Sequence, residues 1–254
     1  MKKIIMYLLV FVGIQLLAGG VVDLAYRLLK NGAPVDAIGL MITTVVADVV
    51  VLFCFLYFKW AEVSRDWVRS RPWTVLFWCV LAALGALIPS AYLQELMPEL
   101  PNHLEREMAM LIGTRYGYFI LGLLAPLVEE LVFRGAILRG LLRWHRNPWL
   151  GIAISAVLFS VVHMNPAQMP HAFLIGLLLG WMYYRTDSIV PGVVYHWVNN
   201  TVAYVLYAFY PDPDIKLNDI FMGNQQNVLL AVAFSLCIFI PSLLQLNIRM
   251  KKAE

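Results

Sequence analysis

The sequence predicts an all-α fold, a polytopic transmembrane helical bundle of about eight spans that forms one membrane domain over residues 1–254. Of the 254 residues, 61% are hydrophobic and 14% are charged, whereas a soluble globular chain has roughly 45–50% and about 25%. A soluble fold of this size would expose a large apolar patch. The apolar residues also fall into runs of about 20, which is the length that crosses a bilayer.

Eight apolar segments are candidates for membrane spans. In chain order they are 4–22, 37–58, 73–93, 116–142, 148–165, 169–186, 189–209 and 227–247. The first is longer than the ~7–15 residues of a signal-peptide core, so we interpret it as a span, with a cleaved signal as the alternative. The sixth is the least regular, because its uninterrupted apolar core covers only 172–184. The longest external loop, 94–115, contains a candidate surface helix at 102–112.

The basic residues are distributed unequally between the two sides of the predicted membrane. If both termini are cytoplasmic, 13 of the 19 Lys and Arg residues lie in inside segments, 5 lie outside and Arg134 lies within a span. This asymmetry obeys the positive-inside rule. We therefore expect an integral, multi-pass protein with both termini cytoplasmic. The small size of the chain favours a prokaryotic cytoplasmic membrane. The net charge of +3 gives no indication of nucleic-acid binding.

The fourth segment carries three ionisable residues, and such residues inside spans are costly and mark function by default. Glu130 and Arg134 are four residues apart, so they share a helix face and can form an ion pair. Glu129 points about 100° away around the helix, which leaves it as the acid without a partner and a candidate general base. The alternative is a structural triad that only joins helices.

Two further segments place a polar pair on one helix face. Phe159 and His163 are four residues apart in the fifth segment, so the phenyl ring can hold the imidazole. His196 and Asn200 have the same spacing in the seventh segment and can both donate hydrogen bonds toward one point. Glu129 and His163 each lie 17 residues from Arg146 at the connecting turn. With a rise of 1.5 Å per residue, we expect the polar residues of the three spans to meet near mid-membrane.

These residues form three ordered motifs, Glu129-Glu130-x-x-x-Arg134, Phe159-x-x-x-His163 and His196-x-x-x-Asn200. They resemble the motifs of the CAAX prenyl endopeptidase type II and bacteriocin-processing family of intramembrane proteases (the CPBP or Abi family). The resemblance makes 116–210 the motif-bearing catalytic core.

The resemblance implies an intramembrane endopeptidase that cleaves a peptide or a membrane-anchored protein tail. By this resemblance, Glu129 would activate the attacking water and His163 would help to position it. His196 and Asn200 would stabilise the oxyanion. Glu130 and Arg134 would hold the site together or meet a substrate carboxylate, and Phe159 would support the site.

The favoured mechanism needs no cofactor or metal. The alternative is a catalytic Zn²⁺ held by Glu129, His163 and His196, although the compact His-Glu-x-x-His helix is missing. The expected partners are a peptide or membrane-protein substrate and the lipid bilayer. Outside the motifs, we expect Asp48 to be a satisfied bundle residue or to line the cavity, and His171 to be interfacial.

Two other functions use the same polar residues. A non-catalytic membrane peptide-binding or immunity scaffold would use them to grip a peptide, and replacement of Glu129 by Gln would then preserve function. A transporter would use Glu129, His163 and Asp48 as an ion path. Transporters of this kind are built from inverted repeats, and the sequence shows no internal repeat.

Overall fold

The predicted all-α architecture is confirmed. The computed structural model describes residues 2–212 and 215–252, and the regular elements of these residues are all helices.

Three helices and two shorter ones make up the N-terminal part of the bundle. They are α1 (Lys2–Leu29), α2 (Ala37–Tyr57), α3 (Arg65–Arg69), α4 (Trp73–Glu95) and α5 (Glu105–Ile112). Helix α5 lies within the surface helix predicted at 102–112.

The motif-bearing part begins with one long continuous helix, residues 119–144, which contains two π-helical segments. Its parts are the first π segment (Phe119–Leu124), α6 (Ala125–Val132), the second π segment (Phe133–Leu138) and α7 (Arg139–Trp144). The remaining helices are α8 (Pro148–Val161), α9 (Met169–Thr186), α10 (Val190–Phe209), α11 (Leu217–Ile220) and α12 (Gln225–Arg249).

All eight segments predicted as spans are helical, but they are not equivalent. Helices α1, α2, α4 and α12 are long and apolar enough to cross a membrane. The helices that carry the polar motifs are interrupted, shorter or more polar. Helix α8, for example, has 14 residues and is therefore ~21 Å long, against about 30 Å for the hydrocarbon core of a bilayer. The chain is an integral membrane protein whose polar helices lie among longer apolar ones.

Close helix contacts depend on glycine at two places. A Cβ on Gly176 or Gly180 of α9 would come within 2.9 Å of side chains on α8, so these glycines allow the two helices to approach closely. A Cβ on Gly85 of α4 would lie 2.7 Å from the backbone of Phe239 on α12. These contacts join α8 to α9 and α4 to α12, the two most extensive helix pairs.

The two π segments have identifiable local causes. The first contains Gly122 and is followed by Pro126, which has no N–H to donate to the carbonyl four residues earlier. The second contains Gly135, where a Cβ would lie 3.2 Å from Ala61. Wider turns of this kind frequently occur at functional sites. Here they bracket α6, which carries both acids of the first motif.

The connection between α8 and α9 differs from the predicted continuous span at 148–165. Helix α8 ends at Val161, so His163 lies in the turn beyond the helix. Met164 in this turn has a φ of 51°. The buried Asn165 donates to the side chain of Asn102, at 2.9 Å, and accepts from the backbone N–H of His103, at 3.0 Å. The turn is therefore fixed against the loop that follows α4.

Candidate active site

The centre of the candidate site is a buried ion pair on the helix 119–144. An Nη of Arg134 donates to Glu130 at 2.6 Å, and the two side chains are 1% and 0% exposed. The other Nη donates to the carbonyl of Gly176 at 3.2 Å. The guanidinium also lies 4.5 Å from the centre of the Phe159 ring. This is the pair that the four-residue spacing predicted, and it connects the helix to α8 and α9.

His196 lies between the two acids. Its Nδ1 is 3.3 Å from the Oε1 of Glu130, and its Nε2 is 3.7 Å from the Oε2 of Glu129. The sequence placed Glu129 without a partner, and the structure corrects this by giving it a loose one. The imidazole is 6% exposed, so α10 brings it into the interior rather than to the surface.

The two acids of the motif differ in accessibility. The side chain of Glu129 is 23% exposed, whereas that of Glu130 is 0% exposed. Adjacent positions on a helix point about 100° apart, which explains why one carboxylate is enclosed and the other is not. Glu129 is therefore the acid of this pair that a water molecule or a substrate can reach.

The orientation of His163 follows from one hydrogen bond. Its Nδ1 is 2.7 Å from the backbone carbonyl of Phe159. A carbonyl only accepts, so Nδ1 carries the proton in the neutral ring, and the lone pair is on Nε2. The Phe159 ring meets the His163 imidazole edge-on at 4.9 Å and the His196 imidazole at 5.8 Å. Phe159 thus contacts both histidines as well as Arg134.

Asn200 and His196 share a face of α10 but meet different partners. The Nδ2 of Asn200 donates to the carbonyl of Leu121 at 3.0 Å, and its Oδ1 accepts from Asn199 at 3.3 Å. In this structure each of the two side chains has its own acceptor on the helix 119–144.

A hydrogen-bonded group of three polar residues near the motifs was not predicted from the sequence. Ser90 of α4 and His171 of α9 are joined by a hydrogen bond of 2.7 Å, and His171 also hydrogen-bonds with Asn199. His171, which was expected at the membrane interface, is half-buried and joins α4, α9 and α10 through these two hydrogen bonds. The proximity of Asn199 to the third motif was the available signal. No sequence spacing relates His171 to Ser90.

Asp48 of α2 is buried beside this site. It accepts a hydrogen bond of 3.2 Å from Gln15, and its second oxygen has no hydrogen-bond partner among the described residues. It is close enough to Glu129 for their charges to interact. Asp48 is therefore only partly satisfied as a bundle residue.

The candidate zinc ligands are only partly brought together in this structure. Within residues 2–212 and 215–252, no three His, Cys, Asp or Glu side chains are grouped as ligands of one metal ion. Glu129 and His196 are neighbours, and the Nδ1 of His163 is hydrogen-bonded to the carbonyl of Phe159. The alternative zinc set of Glu129, His163 and His196 is thus not assembled in this structure.

Comparisons with known proteins agree with the motif analysis. Residues 112–202 match the family model described as Type II CAAX prenyl endopeptidase Rce1-like, and this segment contains the three motifs. A stretch of 79 residues is 30% identical to the UPF0177 protein YxdF of Lactococcus lactis subsp. lactis (strain IL1403), covering 31% of this chain and 42% of that relative. No solved structure matches. The resemblance to the type II CAAX endopeptidases is confirmed over residues 112–202.

Proposed function

Since residues 112–202 match a family of CAAX prenyl endopeptidases, we propose that this chain is an intramembrane endopeptidase of the CAAX-protease type. Its substrate is a peptide or a membrane-anchored protein tail, and 116–210 is its catalytic core. The observation that carries the proposal is the difference between the two adjacent acids. Glu130 is enclosed with Arg134, and Glu129 stays accessible beside His196.

In the proposed reaction, Glu129 is the general base. It accepts a proton from a water molecule, whose oxygen attacks the carbonyl carbon of the scissile peptide bond. The Nε2 lone pair of His163 accepts the water's second O–H and so orients the attack. The proton taken up by Glu129 then passes to the amine nitrogen as the C–N bond breaks, which leaves a carboxylic acid and an amine.

The negative charge on the intermediate needs hydrogen-bond donors. Asn200 uses one N–H of its Nδ2 for Leu121, and the second N–H of the same group is the donor that we assign to the oxyanion. His196 lies between the two acids and supplies positive charge when protonated. Loss of one oxyanion donor typically lowers kcat by about 10²–10³-fold.

An apolar groove supports a substrate that arrives from the bilayer. It has a volume of about 300 Å³ and is lined by Met41, Ile42, Val45 and Val46 of α2 together with Tyr116, Phe119 and Ile120. In the sequence, the groove residues of α2 come shortly before Asp48. Phe119 and Ile120, on the other wall, begin the helix 119–144 that carries Glu129. An apolar substrate segment in this groove would place its adjoining peptide bonds near the accessible acid.

The test is cleavage of a fluorogenic peptide library by the purified protein in detergent. Wild type is compared with Glu129→Ala, with and without a strong chelator, and Glu99→Ala serves as a control because Glu99 is 95% exposed. Cleavage that is lost in Glu129→Ala, but survives in Glu99→Ala and in the chelator, supports the proposal. Equal cleavage by Glu129→Ala refutes the role of Glu129. If the chelator abolishes cleavage by the wild-type protein, a metal is required.

A further inference from the structure

A second cavity lies at the far end of the helix 119–144, away from Glu129. Its volume is about 290 Å³. Three separate parts of the chain form its wall: the end of α7 with the turn after it, the end of α9, and the C-terminal residues beyond α12. By the positive-inside rule, this end of the bundle faces the cytoplasm.

The cavity is lined by an excess of positive charge. Arg139, Arg143, Arg146 and Lys252 contribute to the wall, and Asp187 is its one acid. Arg139 is already paired with Glu62. Among the described residues, Arg143, Arg146 and Lys252 form no ion pair within 4.0 Å. Three cations from two distant parts of the sequence therefore share one concave site with a single lining acid, Asp187.

The position of Lys252 is fixed by the contacts of the residues before it. Arg185 of α9 donates to the side chain of Asn247, at 2.8 Å, and to the carbonyl of Met250, at 3.3 Å. Met250 is fully buried. The indole of Trp67 donates to the carbonyl of Lys251 at 3.1 Å. The chain beyond α12 is thus attached to α3 and α9, and this attachment holds Lys252 at the cavity.

The cavity also lies where a membrane interface is expected. Trp144 and Trp149 flank the turn that forms its wall, and their side chains are largely exposed, as in an aromatic belt at headgroup level. Tyr184 lines the cavity as well, and its hydroxyl can donate a hydrogen bond.

We propose that this cavity binds a phosphate group. Guanidinium forks match the geometry of phosphate oxygens, and an ammonium adds a point charge. Basic pockets between transmembrane helices on the cytoplasmic side bind the headgroups of anionic lipids. A phosphodiester of an anionic lipid and a free phosphate share this chemistry, and they are distinguished by the probe that binds.

The test measures binding of three probes to the full-length protein in a zwitterionic detergent. The probes are short-chain phosphatidylglycerol, short-chain phosphatidylcholine as a headgroup without net charge, and inorganic phosphate. The pocket variant is Arg143→Gln/Arg146→Gln/Lys252→Gln. The matched control is Lys2→Gln/Lys3→Gln/Lys251→Gln, which removes the same charge from the same side but outside the cavity. Circular dichroism checks that both variants keep their helix content.

Each basic residue at an anionic membrane surface contributes about a fivefold gain in affinity. The pocket variant should therefore bind phosphatidylglycerol on the order of 100-fold more weakly than wild type, and the control variant should bind like wild type. Preference for phosphatidylglycerol over both other probes identifies a lipid ligand. Binding of inorganic phosphate that is lost in the pocket variant identifies a free phosphate.

Equal affinities of the two triple variants for every probe would overturn the proposal. It would also be overturned if wild type bound phosphatidylglycerol no better than phosphatidylcholine and did not bind inorganic phosphate. Single charge reversals provide a second comparison if the triple variant loses helix content. Lys252→Glu should weaken binding on the order of 25-fold, because a reversal changes the charge by two units, whereas Lys251→Glu, one residue away and outside the cavity, should not. If both reversals retain wild-type affinity, the site is not the cavity described.

Discussion

Replacing each acid of the first motif by its amide should separate a structural role from a catalytic one. In Glu130→Gln, the neutral amide leaves the guanidinium of Arg134 buried without a countercharge. Breaking a buried ion pair by removing one partner costs about 3–5 kcal/mol. At roughly 2–4 °C per kcal/mol for a chain of this size, Tm should fall by roughly 6–20 °C.

In Glu129→Gln, the expected pattern is the reverse. The side chain is partly exposed and its nearest cation is His196 at 3.7 Å, so the loss in the free energy of unfolding should be about 1 kcal/mol or less. Cleavage should nevertheless be abolished, because an amide cannot accept the proton from water. Mutant proteins that fold normally and do not cleave would assign Glu129 to the reaction rather than to the bundle.

The assay combines tryptophan-fluorescence thermal unfolding in detergent with the peptide-cleavage measurement on the same preparations. A double variant, Glu130→Gln/Arg134→Met, removes both charges and should recover part of the lost stability. The reasoning is refuted if Glu129→Gln lowers Tm as much as Glu130→Gln does. It is also refuted if Glu130→Gln leaves Tm unchanged.

Three further predictions follow from neighbouring contacts. A Cβ on Gly192 would lie 2.6 Å from Glu130, whereas one on Gly151 would find its nearest neighbour at 3.5 Å. Gly192→Ala should therefore lower the cleavage rate at least tenfold, and Gly151→Ala should not. Asp48→Asn should raise the free energy of unfolding by about 1 kcal/mol, because it removes a buried charge with one unsatisfied oxygen. Cleavage should persist in this variant, and its loss would place Asp48 in the reaction. Asn199→Leu should lower kcat about tenfold with helix content unchanged, because it removes one hydrogen bond each from Asn200 and His171; an unaltered kcat would contradict this.

The fold and part of the site were predictable from local rules. Apolar runs of about 20 residues located the helices, because the bilayer sets their length. The pair of Glu130 and Arg134 was predictable because both residues lie one turn apart on the same helix. Such rules act within one segment, and they apply regardless of how the segments are assembled.

Other features depend on how separate segments meet, and the sequence alone did not predict them. His163 lies beyond the end of α8 because the following turn is fixed by Asn165 to the loop after α4. His171 joins Ser90 and Asn199, which are 81 and 28 residues away in the chain. Hydropathy measures transfer into lipid and contains no information on which polar side chains pair across helices.

The two π segments on either side of α6 have a consequence for changes in chain length. A π turn accommodates one residue more than an α turn, so a single-residue deletion there can relax to an ordinary α-helix while both flanking parts keep their orientation. The same deletion within Ala125–Val132 would rotate one end of that helix by about 100° relative to the other. Single-residue deletions should therefore be tolerated in Phe119–Leu124 and Phe133–Leu138, whereas the same deletion in Ala125–Val132 should abolish cleavage.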